Sequence, residues 1–498
     1  MRPALPSDAG RRVSRRVARD ALLAPLASRA RAERWEILVV GGYVRDALLG
    51  RPVRDVDLVA GPPASAVIAW LAERSSHRAV TFEKRVINHR LTIEGRIVDV
   101  VELADRSWDA ELARRDFRLN AIAWDVGRGR LVDPTGGLED LGAGRLDPPL
   151  DSSFVDDPLR MVRGVRLCAE MPRLALTARA ERLIAEVSGQ IRSVAPERMR
   201  EELERVLLTS RASIGVEQLE RLGLLAPWLP EIEPVKGLEQ NRVHHLDVWR
   251  HTLAALAAVD HPRRLARGVL PQGWPVSTGA TSGVSSGRRG AVERPPADES
   301  LLVLRWSLLL HDLGKAQTRA RSLRGEWTFH GHEQAGDKIA RSIGKRLQLP
   351  NARRRAIALI VKQHLRLVIL PEGLLSQRAL QRIIRAVEPW TEVLCLHSLA
   401  DQHATRGAGW RRVKPRLRET VRRLLAAERE LNERRRRGRL VSGCDVMERL
   451  GLRSGPEVGR VLARLERLRD EGVIDTREQA LAWLEAGARG PAADGTDE

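Results

Sequence analysis

The sequence predicts an α+β protein, a small mixed α/β head followed by a mainly α-helical body, and two patterns carry that reading. Between residues 36 and 142, short runs rich in β-branched residues (Ile37-Leu38-Val39-Val40, Val56-Asp57-Leu58-Val59, Leu91-Thr92-Ile93, Ile97-Val98-Asp99-Val100-Val101) alternate with helical periodicity. From about residue 155 onward, Leu, Ala and Arg dominate at helical spacing and the strand-like alternation disappears. With 498 residues and 43% hydrophobic content the chain can bury more than one core, because single cores stop growing at roughly 250 to 300 residues. Several domains are therefore expected.

In chain order, residues 1–34 are rich in Arg, Ala and Pro with weak periodicity and read as a disordered basic leader. The head occupies 35–150, a helical neck 151–240, a larger helical domain 241–410 and a helical C-terminal body 411–487. Within 241–410, residues 261–299 combine Gly, Ser, Pro and Arg without periodicity and read as a disordered insertion, and residues 488–498 read as a disordered tail. In the C-terminal body, Gly455-Pro456 ahead of an amphipathic run is turn and helix-start chemistry. No internal repeat indicates a solenoid.

Lys and Arg number 85 against 65 Asp and Glu, a formal net charge of +20 that attracts polyanions. Aromatic residues make up only 3%, so base-stacking platforms are scarce and any nucleic-acid affinity must be mainly electrostatic. Cys168, Cys395 and Cys444 are far apart and form no CxxC pair, which argues against a zinc knuckle or a disulfide framework and fits a reducing cytoplasm. No run reaches about 18 apolar residues, and the start with Arg11, Arg12, Arg15, Arg16 and Arg19 has no apolar core after it, so a soluble intracellular chain without a membrane partner is expected. Nothing in the sequence indicates an oligomeric state.

The richest stretch for chemistry runs Val39-Val40-Gly41-Gly42-Tyr43-Val44-Arg45-Asp46, followed by Asp55-Val56-Asp57. A strand entering two glycines and then a helix lets backbone approach a triphosphate closely. Alternate residues of a strand share a face, so Asp55 and Asp57 present two hard oxygen donors at one place, suited to Mg²⁺ in phosphoryl transfer. Asp99 lies among β-branched residues, where a charge is costly unless paired or coordinating. It is either a third ligand or an edge-strand aspartate.

Downstream come Arg114-Arg115-Asp116-Phe117-Arg118-Leu119-Asn120, Asp133-Pro134-Thr135-Gly136-Gly137 and Asp156-Asp157-Pro158-Leu159-Arg160-Met161-Val162-Arg163. Together with the glycine turn and the Asp-x-Asp pair, this series resembles the bacterial tRNA nucleotidyltransferase and poly(A) polymerase family of class II, within the polymerase-β-like superfamily. The resemblance implies Asp55 and Asp57 as metal carboxylates, with Gly41, Gly42 and Arg45 on the triphosphate and Arg115, Asp116 and Asn120 on the ribose and phosphate. It implies that Asp157 and Arg160 present a Watson-Crick-like edge to CTP or ATP, with Arg163, Glu197 and Arg198 completing the base-side wall. Two positions depart from the family pattern: Asp156 replaces the usual Glu, and Arg118 replaces Thr, which sets an extra cation beside the nucleotide.

A second constellation lies in the helical part. His251 follows His244-His245, then come His311-Asp312, His330, His332, His364 and Asp401, and seven of the twelve histidines fall in this group. That concentration points to a divalent transition metal held by imidazoles and carboxylates. The order His251, His311-Asp312, Asp401 resembles the HD phosphohydrolase superfamily, which implies metal-activated water acting on a phosphoester, a 2′,3′-cyclic phosphate or a 2′-phosphate. A degenerate HD fold serving as a tRNA-binding body is the alternative.

The function expected is template-independent addition of CMP and/or AMP to the 3′ end of tRNA, with the helical body gripping the acceptor stem and with Arg198, Arg434 and Arg435 as candidate RNA contacts. Addition of CC alone or A alone, a poly(A) polymerase and HD-type hydrolysis are the enzymatic alternatives. The basic-aromatic element of the poly(A) branch is missing from Thr81-Phe82-Glu83-Lys84-Arg85-Val86, which favours tRNA. A non-enzymatic RNA-binding scaffold predicts a missing carboxylate, and both Asp55 and Asp57 are present.

Overall fold

Four consecutive aliphatic residues make strand β1 (Ile37–Val40), every one of them buried, and in the computed structural model it lies inside a seven-stranded sheet. The structure describes residues 8–486 apart from 54, 78–79, 84–86, 104–105, 262–264, 266–268, 270–294, 370–375, 408–409, 437 and 471. Two units are distinct, Met1–Trp228 and Leu229–Glu498.

In the first unit the remaining strands of this sheet are β2 (Val56–Ala60), β3 (Val80–Glu83), β4 (Ile87–Ile93), β5 (Arg96–Glu102), β6 (Ala123–Asp125) and β7 (Arg130–Val132), in the order β3-β4-β5-β2-β1-β6-β7, and a short parallel pair, Arg145–Leu146 with Ala175–Leu176, lies apart from it. Within this sheet only β2 and β5 run parallel, and their register sets Asp57 beside Asp99. β5 has partners on both sides, which corrects the edge-strand reading of Asp99. Strands β3, β6 and β7 are missing from the sequence expectation; β6 is buried at all three of its positions and so shows no alternation, and β7 is only three residues long. Leu38, Val40 and Val59 pack with Ala121, Ala123 and Leu112, the last from α5 (Trp108–Ala113). Each fully buried Leu or Val contributes about 1.5–3 kcal/mol. This cluster holds the strand ends that carry the acids.

The basic leader departs from the disorder expected for it. From Ala9 it forms α1 (Ala9–Ala18) and α2 (Leu23–Glu33), while residues 1–7 lie outside the described residues. Val13 and Val17, one turn apart, are buried with Leu23, Leu26, Ala27 and Ala30. The surrounding arginines mask this stripe in the composition, since their charged heads stay in water above it. Asp20, between the two helices, accepts from the amides of Leu22 and Leu23 at 3.1 and 3.2 Å and from the Tyr43 hydroxyl at 3.0 Å.

Beyond the sheet this unit is helical, with α6 (Gly137–Ala143), α7 (Ser153–Asp156), α8 (Leu159–Glu170), α9 (Ala178–Val187), α10 (Pro196–Leu208) and α11 (Ala212–Arg221). Pro196 opens α10 at a position where its missing N–H costs nothing. α8 packs on α10 and α11.

The second unit is built from helices including Val248–Asp260, Ala297–Leu310, His332–Arg346, Asn351–Gln363, Thr391–Ala404 and Trp410–Arg436. Most of the expected insertion 261–299 lies outside the described residues, but its end is corrected: the helix Ala297–Leu310 starts within it. The expected tail, 488–498, lies outside them too. Three terminal helices, Gly443–Leu450, Pro456–Asp470 and Arg477–Glu485, close on Val446, Val458, Leu465, Ile474, Ala480 and Leu484. The first and last begin with reciprocal capping boxes, Ser442 with Asp445 and Thr476 with Gln479. Among the described residues no helix is long and apolar enough to cross a membrane.

Candidate functional site

Strand β1 ends at Val40, paired with Asp57 of β2, and the chain then turns at Gly41 into α3 (Gly42–Leu48). Gly41 has φ +72° and ψ −139°, and a Cβ there would meet Asp57 Oδ2 at 3.0 Å. The turn therefore needs glycine both for its backbone and for the approach to the carboxylate. Asp55 is exposed just before β2, two residues from Asp57 and so on its face of the strand.

Burial raises the Asp57 carboxyl above its ordinary range; Arg115 and Arg163 oppose the shift, and Asp99 and Asp55 add to it. A partly buried carboxyl under pressure from two other acids is stabilised by a cation, and oxygen donors of this kind fit a hard divalent ion such as Mg²⁺. Asp99 is different, since both its oxygens accept from Arg90, Nε and Nη2 each at 2.8 Å. The sheet brings it to the acidic cluster but pairs it with a cation of the protein itself. The donors that fit a bound ion best are Asp55 and Asp57.

Asp57, Gly41 and Gly42 open onto a cavity of about 470 Å³ whose walls include Arg114, Arg115, Arg160 and Arg163 as well as Asp116, Asn120 and Asp157. That volume lies within the range of small-molecule sites, about 300–1,000 Å³. The polar residues on its floor form a chain of contacts. Asp116 accepts from Asn120 Nδ2 at 2.8 Å and from the Phe117 amide at 2.9 Å, and lies 3.6 Å from Arg163 Nη1. Arg45 donates to Asn120 Oδ1 at 2.8 Å and holds Asp46 through Nε and Nη2 at 3.0 and 2.9 Å.

Arg45 is only 9% exposed and does not line the cavity, which corrects its expected place on the triphosphate: it supports Asn120 from below. Arg118 is corrected too. It turns onto Asp147 at 3.2 Å and Asp140 at 3.9 Å and adds no cation to the cavity wall.

At the far wall, Asp157 Oδ1 accepts from the Leu159 amide at the start of α8 and Oδ2 from Arg198 at 2.8 Å. Arg160 donates to the carbonyls of Ser153 and Arg114 at 3.2 and 2.6 Å, and burial lowers its pKa from the ordinary value. The pair expected to read the base thus lines the cavity with its edges turned onto the protein. Sequence reasoning missed Arg114, Glu111 and Asn88 on the wall, and Glu202, which collects Arg166 at 2.7 Å, Arg205 at 3.2 Å and Arg163 at 3.8 Å. Arg114 sits inside the Arg-Arg-Asp run and was legible there; the acids carry no local signal.

Arg434 and Arg435, expected to meet RNA, are engaged internally. Arg434 reaches Glu430 at 2.8 Å and the Arg469 carbonyl at 3.3 Å, and Arg435 reaches Glu388 at 2.6 Å. Their charge is offset in place by acids of the protein itself.

In the second unit the expected cluster assembles. His251 Nε2 lies 2.9 Å from Asp401 and 3.7 Å from Asp312, and His311 Nε2 lies 3.2 Å from Asp312 and 3.9 Å from Asp401. His332 Nε2 adds a contact of 3.5 Å to Asp312 and one of 3.2 Å to His364 Nε2. Three rings are pinned alike: His311, His332 and His364 set Nδ1 against the carbonyls of Leu308, Phe329 and Val361 at 2.8, 2.8 and 2.6 Å. The Nε2 atoms are left for the interior, the arrangement that orients imidazole for a metal.

Burial pushes the His364 ring down to about 3 and also lowers His332, so both are neutral at ordinary pH, the form in which imidazole can take a metal. Burial alone would raise Asp312, but His311 and Lys315 hold it well below the usual carboxylate range. The donor set, imidazole with carboxylate, fits a divalent transition ion. His330 is exposed and stands apart. His397, which the sequence reading passed over, stacks on His311 and His364 at 5.2 and 5.8 Å. It lies one helical turn before Asp401, a spacing that could have found it.

Comparison with known proteins adds three domain matches: a poly A polymerase head domain over residues 37–147, a probable RNA and SrmB-binding site of polymerase A over 174–236, and an HD domain over 283–405. A CC-adding tRNA nucleotidyltransferase of Thermus thermophilus is 34% identical over 457 residues, covering 89% of this chain and 92% of its own. An A-adding tRNA nucleotidyltransferase of Deinococcus radiodurans is 34% identical over 459 residues, covering 90% and 94%. Among solved structures, the Bacillus stearothermophilus CCA-adding enzyme in complex with CTP matches with a TM-score of 0.58 at 23% identity, over 95% of this chain and 98% of that one. A Thermotoga maritima CCA-adding enzyme complexed with tRNA matches with a TM-score of 0.58 at 18% identity, over 96% and 98%. These two share the fold.

Proposed function

We propose, for a chain that belongs to the bacterial tRNA nucleotidyltransferase family, that the head cavity adds CMP and/or AMP to the 3′ end of tRNA, taking CTP and ATP and releasing pyrophosphate. The observation that carries this reading is the juxtaposition of Asp55 and Asp57 with a cavity walled by Arg114, Arg115, Arg160 and Arg163. Carboxylates at one end and guanidiniums along the walls suit a substrate that brings a triphosphate to a metal.

Asp55 and Asp57 would hold Mg²⁺, which when bound supplies activation of the attacking 3′-hydroxyl and stabilisation of the departing pyrophosphate. The chain's own residues do the positioning. Arg115 and Arg163 face the polyphosphate and offset charge that grows on it. Asp116 and Asn120 orient the ribose, and Arg45 fixes Asn120. Asp157 and Arg160 select the base by releasing their present contacts and presenting donor and acceptor groups to its Watson-Crick edge, so no nucleic-acid template is required.

The test is incubation of the chain with tRNA lacking its 3′ end and labelled CTP or ATP, separately and together. Growth stops within three nucleotides on this reading, and longer tails refute it. Asp57→Ala abolishes addition; an active variant places the metal site elsewhere.

The convergence of pinned imidazoles on Asp312 favours a second activity in the other unit, hydrolysis of a 2′,3′-cyclic phosphate or 2′-phosphate at a transition metal. Metal-independent behaviour of both substrates, with no hydrolysis, would leave the degenerate HD fold.

A further inference from the structure

A second cavity of the first unit, about 580 Å³, is walled by Arg12, Arg15, Arg16, Arg19, Arg51 and Arg96, with Asp20 as its acid. Three separate segments build it: the leader helix α1, the turn after α3 and the start of β5. Val13 and Val17 pack the opposite side of α1 against the protein, so the arginine row faces outward by construction.

The floor is fixed. Asp20 accepts from Arg96 Nη1 at 3.0 Å and from the Tyr43 hydroxyl at 3.0 Å, and Tyr43 directly follows Gly42, the first residue of α3 and part of the nucleotide cavity. Acids do little to neutralise the rest. Arg12 and Arg15 reach Asp8 only at 3.5 and 3.7 Å, and among the described residues Arg16, Arg19 and Arg51 have no acidic partner. Cationic side chains near the end of a helix are favourable against its dipole, which accounts for Arg15, Arg16 and Arg19. It does not account for Arg12 in the first turn, nor for Arg51 and Arg96 from elsewhere in the chain.

We propose that this cavity is an RNA-backbone site, holding phosphodiester groups of the tRNA away from the 3′ end being extended; the proposal rests on tRNA being the substrate. A free nucleotide would use the same phosphate chemistry, but apart from the arginines and Asp20 the walls are Ala21, Ala47 and Gly50, with no ring to stack a base and no donor set to read one. Arg12 to Arg19 also extend over about 10 Å of helix at 1.5 Å per residue, longer than one phosphate and suited to a strand. A backbone contact of this kind is read by guanidinium groups without sequence preference.

The experiment compares the full chain with the triple variant Arg12→Gln, Arg16→Gln, Arg19→Gln, and with Arg51→Gln alone, whose position off the leader separates loss of charge from loss of α1. Circular dichroism and melting establish that each is folded. Anisotropy of labelled tRNA lacking its 3′ end, between about 50 and 300 mM KCl, then reads affinity and its salt slope. Loss of up to three phosphate contacts lowers the slope by about 0.7–0.9 per contact and weakens binding at least ~10-fold near 0.1 M salt; Arg51→Gln shows a smaller loss of the same sign. With saturating tRNA, kcat and the KM for CTP stay unchanged. Affinity within about twofold of the parent with an unchanged salt slope overturns the proposal. So does a raised KM for CTP with tRNA affinity intact, which identifies a compact phosphate ligand. If the parent chain adds no nucleotide at all, the functional reading has failed, while the binding arm still reports on the cavity.

Discussion

Replacing Gly41 with alanine separates the stability of the head from its chemistry. At φ +72° and ψ −139° the backbone is one that a residue with a Cβ occupies at a cost of about 1–3 kcal/mol. The new methyl also meets Asp57 Oδ2 at 3.0 Å, and Asp57 cannot retreat as a whole because β2 is paired to β1 on one side and β5 on the other. Its carboxyl must rotate by a few tenths of an ångström. Misplacement of a reacting group by about 1 Å costs roughly 10² in rate, so a shift of a few tenths is expected to lower kcat/KM for nucleotide addition about 3- to 10-fold. The head's melting midpoint is expected to fall by about 2–12 °C, at about 2–4 °C per kcal/mol for a unit of this size. Gly129→Ala is the control, with φ +67° and nothing within 4 Å of the added carbon. It costs about 1 kcal/mol of stability and leaves addition unchanged. Scanning calorimetry and initial rates on tRNA read both quantities. Gly41→Ala adding nucleotides at the parental rate would refute the argument that this turn sets the carboxylate.

Three further outcomes follow from the contacts. Arg45 and Asn120 act as one unit, so Arg45→Ala and Asn120→Ala are expected to be non-additive in kcat/KM, with a coupling of about 0.5–3 kcal/mol; additive losses would show that Arg45 acts independently. His311→Ala is expected to strip transition metal from the purified chain, read by elemental analysis, and leave addition to tRNA intact; equal metal content in parent and variant removes His311 from that centre. Burial alone would raise Asp20, but the Leu23 amide and Arg96 hold it below its ordinary 3.8. Its contribution is therefore present above about pH 4 and is lost as pH falls through the depressed folded value, with Tyr43 and Arg96 as the side chains facing it. Asp20→Asn should cost about 1–3 kcal/mol at pH 7 and progressively less in acid, measured by urea unfolding. A pH-independent difference would show that the charge is not what matters.

The acids and glycines of the head were legible because their signals are local. A strand, a Gly-Gly turn and an Asp-x-Asp pair fall within twenty residues, and period-2 geometry alone puts Asp55 with Asp57. Asp99 was half legible: a charge among β-branched residues demands a partner, but that the partner is Arg90 depends on the β4–β5 register. Arg45 misled because the run around it names a function without saying which way a buried guanidinium points. The histidine cluster was legible in membership from its density, and its geometry was not, since the pinning carbonyls are set by where two helices end, for Leu308 and Val361, and where one begins, for Phe329.

Arginine runs show most clearly where sequence reasoning stops. Arg434-Arg435 and Arg15-Arg16 look alike in the chain, both on helices and both in basic stretches. Glu388 and Glu430 meet the first pair in the folded chain, so that charge is consumed within the protein. Around the second, the acid that lines the cavity, Asp20, is already taken by Arg96 and Tyr43. Whether a cation holds the fold together or reaches for a phosphate is thus decided by acids that lie far away in sequence, 47 residues in the case of Arg435 and Glu388. Net charge measures how much attraction is available, and only the tertiary pairing says where it is left to act. The same logic turns the leader from a tail that could be discarded into part of the head: Val13 and Val17 dock it, and docking is what turns a solvated charge run into the wall of a cavity.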